Sequence, residues 1–224
     1  MKLLEDTHLD SINIFLSCLN LGESTIKGSL EAFSCKHTGA DRKLSISLEH
    51  EILDYLGQST DSDSASPVDY LLSRSSRKTL IYLVLTLSHM YPDYDFSPVR
   101  THLFFKDEDW DSFKLMFETY LFEAAEEWAA VNGGSSLFES MSKAIDEVVK
   151  LGECEIYSYK PDFEGDPFLE EGAIWSLNFF FYNRKLKRIL SFRCCCISNL
   201  AANGFIGDVA SVEDEDDLLR DMEM

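Results

Sequence analysis

The chain has 224 residues, 45% of them hydrophobic and 12% aromatic, enough for one domain with a substantial core. Forty acidic residues against 20 basic ones give a formal net charge of −20, which argues against free nucleic acid as a partner for the whole chain, because phosphate contacts need basic charge. A partner with a basic surface fits better.

No secretory leader is read at the start, since Glu5 and Asp6 stand where its apolar core would begin. The longest apolar run, 80–87, falls far short of the ~20 residues of a membrane span. Cys18, Cys35 and Cys154 are isolated, and Cys194, Cys195 and Cys196 are consecutive, without the gap that lets two ligands reach one zinc ion. Reduced thiols and a cytosolic or nuclear setting are expected.

In chain order, Ile12, Phe15, Leu16 and Leu19 recur at helical spacing and predict a helix over 8–19, with Asp10 as its cap and Gly22 beyond its end. Residues 24–35 alternate, which predicts a strand with Ile26, Gly28, Leu30 and Ala32 on one face. A short helix is expected over 43–56. The following stretch, GQSTDSDSASP (57–67), has no apolar residue larger than Ala and predicts a mobile linker that reaches Ser76. A buried helix over 77–91 comes next, punctuated by PDYDFSP (92–98).

Trp110, Phe113, Phe117, Tyr120, Leu121 and Ala124 form one stripe, so a single long helix is predicted over 109–131. Asn132, Gly133 and Gly134 stop it, and Ser135 caps a further helix to about Leu151. A strand over 153–159, an acidic loop over 160–172 and a hairpin from 174 to 192 follow. Residues 211–224 carry seven acids and one Arg, a net −6 that leaves −14 on the rest. The expected organisation is one domain over 1–210, with a linker near 57–76 and a disordered acidic tail over 211–224. Helices mixed with a terminal hairpin imply an α+β fold around a central antiparallel sheet flanked by helices.

The hairpin carries the chain's most unusual chemistry. A two-residue turn at Asn183 and Arg184 sets Tyr182 opposite Lys185 and Phe180 opposite Lys187. One face then holds Trp175, Leu177, Phe179, Phe181, Leu186, Leu190 and Phe192, a core set, with Arg188 its misfit near the turn. The other holds Ser176, Asn178, Phe180, Tyr182, Lys185, Lys187 and Ile189. Two readings of this second face stand open. Both faces pack under helices while the Lys stems snorkel to water, or the second face is a recognition patch for acidic protein or for RNA.

Enzyme chemistry finds little support. Nucleophile elbows, phosphate-cradling loops and dinucleotide fingerprints are absent from the sequence. His89, Asp93, Asp95 and His102 match no metal-ligand spacing, and capping or turn formation is the expected role in PDYD. No cofactor is expected. Regulatory serines are better represented: Ser45 follows Arg42 and Lys43, Ser66 precedes Pro67, Ser97 precedes Pro98, and Ser211 precedes acids. Ser62, Ser64, Ser75 and Ser76 join them as candidates in or beside the linker. A phosphate there adds about two negative charges and can release or recruit a partner.

Three blocks of the chain form a recognisable set. They are MKLLE with IKGSLEAFSCK (1–36), SRKTLIYLVLTL through PDYDFS (76–97), and CEIYSY with WSLNFFFYNRKLKRI (154–189). On these the chain resembles the eukaryotic Maf repressor family of RNA polymerase III transcription. The resemblance implies an α/β/α sandwich and a non-enzymatic repressor that binds the polymerase and blocks its engagement with the promoter-bound initiation factor. It also implies control by nutrient- and stress-linked phosphorylation, with kinases and phosphatases as partners and phosphorylation-dependent residence in nucleus and cytoplasm. Direct DNA or membrane contact is not expected, and the protein is expected to be a monomer.

The matching positions are Asp93, Tyr94, Asp95 and Phe96, then Trp175, Asn178, Tyr182, Asn183, Lys187 and Arg188. With Arg184 and Lys185 from the hairpin, the polar and Tyr members are the partner-binding candidates. Trp175, Phe179 and Phe181 belong to the core by the face analysis. The runner-up function is an RNA-binding module using the hairpin.

Overall fold

Seven strands form one antiparallel sheet in a computed structural model that describes residues 1–58, 69–96, 105–161 and 166–199. The strands are β1 (Lys2–Leu4), β2 (Leu19–Asn20), β3 (Ser24–Ser34), β4 (Phe105–Glu108), β5 (Glu155–Tyr159), β6 (Ala173–Asn183) and β7 (Arg188–Ser198). Their order is β1-β3-β7-β6-β5-β4, with β2 also pairing β3. The three central strands are eleven residues each and rich in Phe, Ile, Leu and Cys, residues that suit a surface covered on both sides.

Both sides are indeed covered, which makes an α/β/α sandwich. The helices are α1 (Asp10–Leu16), α2 (Gly39–Gln58), α3 (Arg74–Met90), α4 (Trp110–Tyr120), α5 (Phe122–Val131) and α6 (Leu137–Val149). One core joins α1, α4, α5 and α6 to Phe179, Phe181, Leu190, Phe192, Cys194 and Cys196. The other sets α2 and α3 on Phe180, Tyr182 and Ile189. Residues 79–87 of α3 are all buried, as a helix apolar all round must be.

Gly28 shows how closely the layers meet. A Cβ there would lie 3.1 Å from Leu16 Cβ and 3.2 Å from Cys194 Sγ, so α1 rests on a strand that lacks a side chain at that point. Gly28→Val is expected to cost about 1–3 kcal/mol of stability by overpacking, read as a lower urea midpoint at unchanged slope.

Several sequence expectations shift. The first helix is shorter than 8–19: Leu9 is its N-cap and Asp10 its first residue, while Leu19 and Asn20 turn back to pair with β3. The second begins at Gly39, four residues earlier than expected. The linker does not reach Ser76, because 69–72 form a 3-10 turn and Ser73 caps α3 by accepting a bond from the Ser75 N–H at 3.2 Å. Residues 59–68, the tail over 211–224, and with them Ser62, Ser64, Ser66 and Ser211, lie outside the described residues, as do Ser97 and His102.

The long helix over 109–131 breaks at Leu121, whose backbone leaves helical geometry (φ −109°, ψ 21°) while its side chain is fully buried. The interruption is a kink that keeps its helical bonds, with the Leu121 N–H donating to Phe117 O at 2.9 Å and Leu121 O accepting from the Ala125 N–H at 2.8 Å, and neither Gly nor Pro announces it. Ser136, not Ser135, caps α6, accepting from the Glu139 N–H at 3.2 Å. Ser135 instead accepts a bond from Trp128 Nε1 at 3.1 Å.

Candidate functional site

The hairpin turn is longer than two residues. Asn183 pairs with Arg188, so residues 184–187 form the turn and Tyr182 faces Ile189 rather than Lys185. The cause is the Asn183 side chain, fully buried at the turn's base. Its Oδ1 accepts both the Lys185 and Leu186 N–H groups at 2.9 Å, and its Nδ2 donates to Val149 O at 2.8 Å. This capped turn needs one left-handed residue to close, and Lys187 supplies it (φ 52°). Asn183 is therefore a structural residue that holds the turn against the end of α6.

The register moves Lys185 and Lys187 off the second face and onto the knuckle. That face is core: Asn178, Phe180 and Tyr182 are buried, and Tyr182 meets Tyr82 of α3 at a ring distance of 5.9 Å. Asn178 Nδ2 reaches Tyr159 O at 3.4 Å. The recognition patch drawn across the sheet is thus corrected, because a helix layer covers it. Phe180 and Tyr182, the rings an RNA-binding reading would stack bases on, are instead buried in the core they share with α2 and α3.

What the hairpin does present is its tip, with Arg184, Lys185, Leu186 and Lys187 all exposed. Arg184 Nε pairs with Glu155 Oε1 at 2.6 Å, and its guanidinium also donates to the Ser75 hydroxyl at the start of α3. Lys185 pairs with Glu153 at 3.3 Å. The Cys35 N–H donates to Lys187 O at 2.9 Å, and Arg188 donates to Val148 O at 2.9 Å, near the α6 C-terminus, where a cation complements the helix dipole. The tip is fixed from four directions, which makes it a rigid basic projection on an acidic protein.

Asp93, Tyr94 and Asp95 sit elsewhere. They follow α3, with Asp93 and Asp95 exposed, Tyr94 half-buried against Phe96 at 4.7 Å, and the Tyr94 N–H donating to Tyr91 O at 3.2 Å. Phe96 is buried beside Phe168. The hairpin tip touches α3 at its first turn, and the acidic turn follows its last. A 17-residue helix separates them by about 25 Å, so the structure does not join the two candidate groups.

Sequence reading missed a third cluster. The Met1 ammonium, fully buried, pairs with the Asp41 carboxylate, and His89 Nε2 lies 2.8 Å from Asp41 Oδ1 and 2.7 Å from the Met1 nitrogen. Burial alone would raise the Asp41 carboxyl, but hydrogen bonds from the Met1 ammonium, the Thr38 N–H and His89 outweigh it and hold the group far below its ordinary range. His89 is therefore a structural partner of Asp41, not a member of a cluster with Asp93 and Asp95. No group of three metal-ligating side chains occurs among the described residues.

The model of the Maf1 regulator family matches residues 26–193, from β3 to β7. The chain belongs to the Maf1 family. A Dictyostelium discoideum protein named repressor of RNA polymerase III transcription is 28% identical over 246 residues, spanning 89% of this chain and 86% of that one. A Schizosaccharomyces pombe protein of the same description is 32% identical over 199 residues, spanning 85% and 80%. A crystal structure of citrus MAF1 superposes with a TM-score of 0.74 at 67% identity, covering 86% of this chain and all of that one. Maf1 relatives are named as regulators of transcription. The basic hairpin tip and the acidic turn both lie within the Maf1 match.

Proposed function

We propose that this chain represses RNA polymerase III transcription without catalysing a reaction, by binding the polymerase and blocking its engagement with the promoter-bound initiation factor. Membership of the Maf1 family, whose curated relatives carry the repressor name, is the observation that supports it. An acidic surface suits docking beside a cleft built for nucleic acid. The rigid hairpin tip then supplies a local basic contact for an acidic patch on the polymerase.

Regulation by kinases and phosphatases, with movement between cytoplasm and nucleus, belongs to the same proposal. Ser45, Ser75 and Ser76 are its described candidates. The Ser45 hydroxyl donates to Asp41 O at 2.8 Å within α2, and Ser75 and Ser76 lie in the first turn of α3, so each needs local opening to enter a kinase.

The test is binding of the purified, unphosphorylated chain to purified RNA polymerase III, paired with promoter-dependent transcription. Saturable binding with loss of initiation is expected. A Lys185→Glu/Lys187→Glu chain is expected to keep its fold, since both side chains are exposed, and to bind about tenfold more weakly with a shallower salt dependence. Equal affinity would remove the hairpin tip from the docking surface. A folded parent chain that does not bind would overturn the repressor reading itself.

A further inference from the structure

Between α2 and the first turns of α3 lies an open cavity of about 500 Å³. Arg42, Arg74, Lys78 and His37 converge on it from α2, α3 and the segment after β3, and Ser45 and Ser75 stand on its rim. Glu49 is the one acidic lining residue. From the hairpin, Arg184 reaches the same rim through its bond to the Ser75 hydroxyl. Lys27, Lys106, Lys114, Arg184, Lys185 and Arg193 each hold a carboxylate partner. Arg42, Arg74 and Lys78 hold none among the described residues; other surface cations share that state, but these three converge on one cavity.

The position of these cations is electrostatically costly as it stands. The first turn of α3 has no acidic residue, and Arg74, Arg77 and Lys78 crowd the end of a 17-residue helix that already carries positive dipole charge. Their field is felt locally: burial, the Met1 ammonium, Lys78 and Arg42 together lower His37 against the opposing pull of Asp41. An anion in the cavity relieves both the dipole and the mutual repulsion of the side chains.

We propose that this cleft binds a phosphate monoester, of the kind a phosphoserine carries. Two guanidinium forks, an ammonium and a helix N-terminus match a compact dianion better than a single carboxylate. Its cations are gathered at one point, Arg42, Arg74 and Lys78, and do not form the long basic track that a nucleic acid backbone follows. The phosphate comes from a separate phosphorylated peptide or from Ser75 on the rim itself. The site is independent of the polymerase reading, since it is measured on the isolated chain.

The experiment titrates the unphosphorylated full chain with inorganic phosphate and with a short phosphoserine peptide at constant ionic strength, followed by amide NMR shifts. Saturable binding is expected, with an affinity about tenfold lower in Arg74→Ala/Lys78→Ala and unchanged in the equally charged control Lys114→Ala/Lys143→Ala. All four side chains are exposed, and melting curves confirm that both variants fold. Absence of saturable binding, or an equal loss in both variants, would overturn the proposal. A chain carrying phosphate on Ser75 separates the sources. If it no longer takes up the added peptide, the rim serine fills the cleft, and if it still does, the site serves a separate peptide.

Discussion

An Asp41→Ala chain is expected to lose about 3–5 kcal/mol of unfolding free energy, the cost of breaking a buried ion pair from one side. The Asp41 side chain is 6% exposed and the Met1 ammonium fully buried, so the substitution strands a buried positive charge. It also removes the acceptor of the Thr38 N–H, 2.6 Å from Oδ2, and leaves His89 without its carboxylate. Urea unfolding at neutral pH measures the loss. Acid supplies a second check. Asp41 is held below its ordinary value of 3.8, so its contribution is complete above that pH and is lost as pH falls towards the folded value. The urea midpoint of the parent chain is expected to drop below about pH 4, and that of Asp41→Ala to drop less over the same window. Equal midpoints at neutral pH would mean that the cluster adds nothing.

Phe113→Ala is expected to cost a similar amount, about 3–5 kcal/mol, by opening a cavity at the centre of the other core. The Phe113 ring is fully buried and meets Phe179 at 4.9 Å, Phe181 at 5.1 Å and Phe192 at 6.0 Å, in edge-on arrangements that favour aromatic pairs. It therefore ties α4 to both β6 and β7. The same urea measurement reads the effect, and a loss below about 1 kcal/mol would show that Phe117 and Phe138 collapse into the space. Because the hairpin tip grows from β6 and β7, a looser contact here reaches the proposed docking surface through the strands that carry it.

Where pattern and contact are local, the sequence was readable. Alternation placed Ile26, Gly28, Leu30 and Ala32 on one face of β3, and the apolar run 80–87 marked α3 as buried. The hairpin faces also survived a wrong turn, because the pairing moved by an even number of residues and the strand period is two. What failed depended on distant groups. Asn183 looks like a turn residue, and its local bonds to Lys185 and Leu186 close the turn, yet its burial against Val149, 34 residues away, is invisible to local pattern. The second hairpin face stayed open between packing and recognition, because nothing near Phe180 and Tyr182 in sequence shows that they share a core with α3. Asp41 draws its partners from Met1 and His89, 40 and 48 residues distant, beyond the reach of any periodicity.

The position of β7 also bears on how the chain reaches this structure. It lies between β3 and β6, pairing Ser24 with Ser198 on one side and Asn183 with Arg188 on the other. Until residues 188–198 emerge from the ribosome, the opening strands and the β4–β6 strands have no common neighbour, and the facing edges of β3 and β6 stay unpaired. Completing the sheet then requires contacts across some 160 residues, a separation that slows folding. A chain cut short before β7 loses the sheet's centre rather than an edge, so the nascent protein depends on whatever shields those strands until residues 188–198 are made.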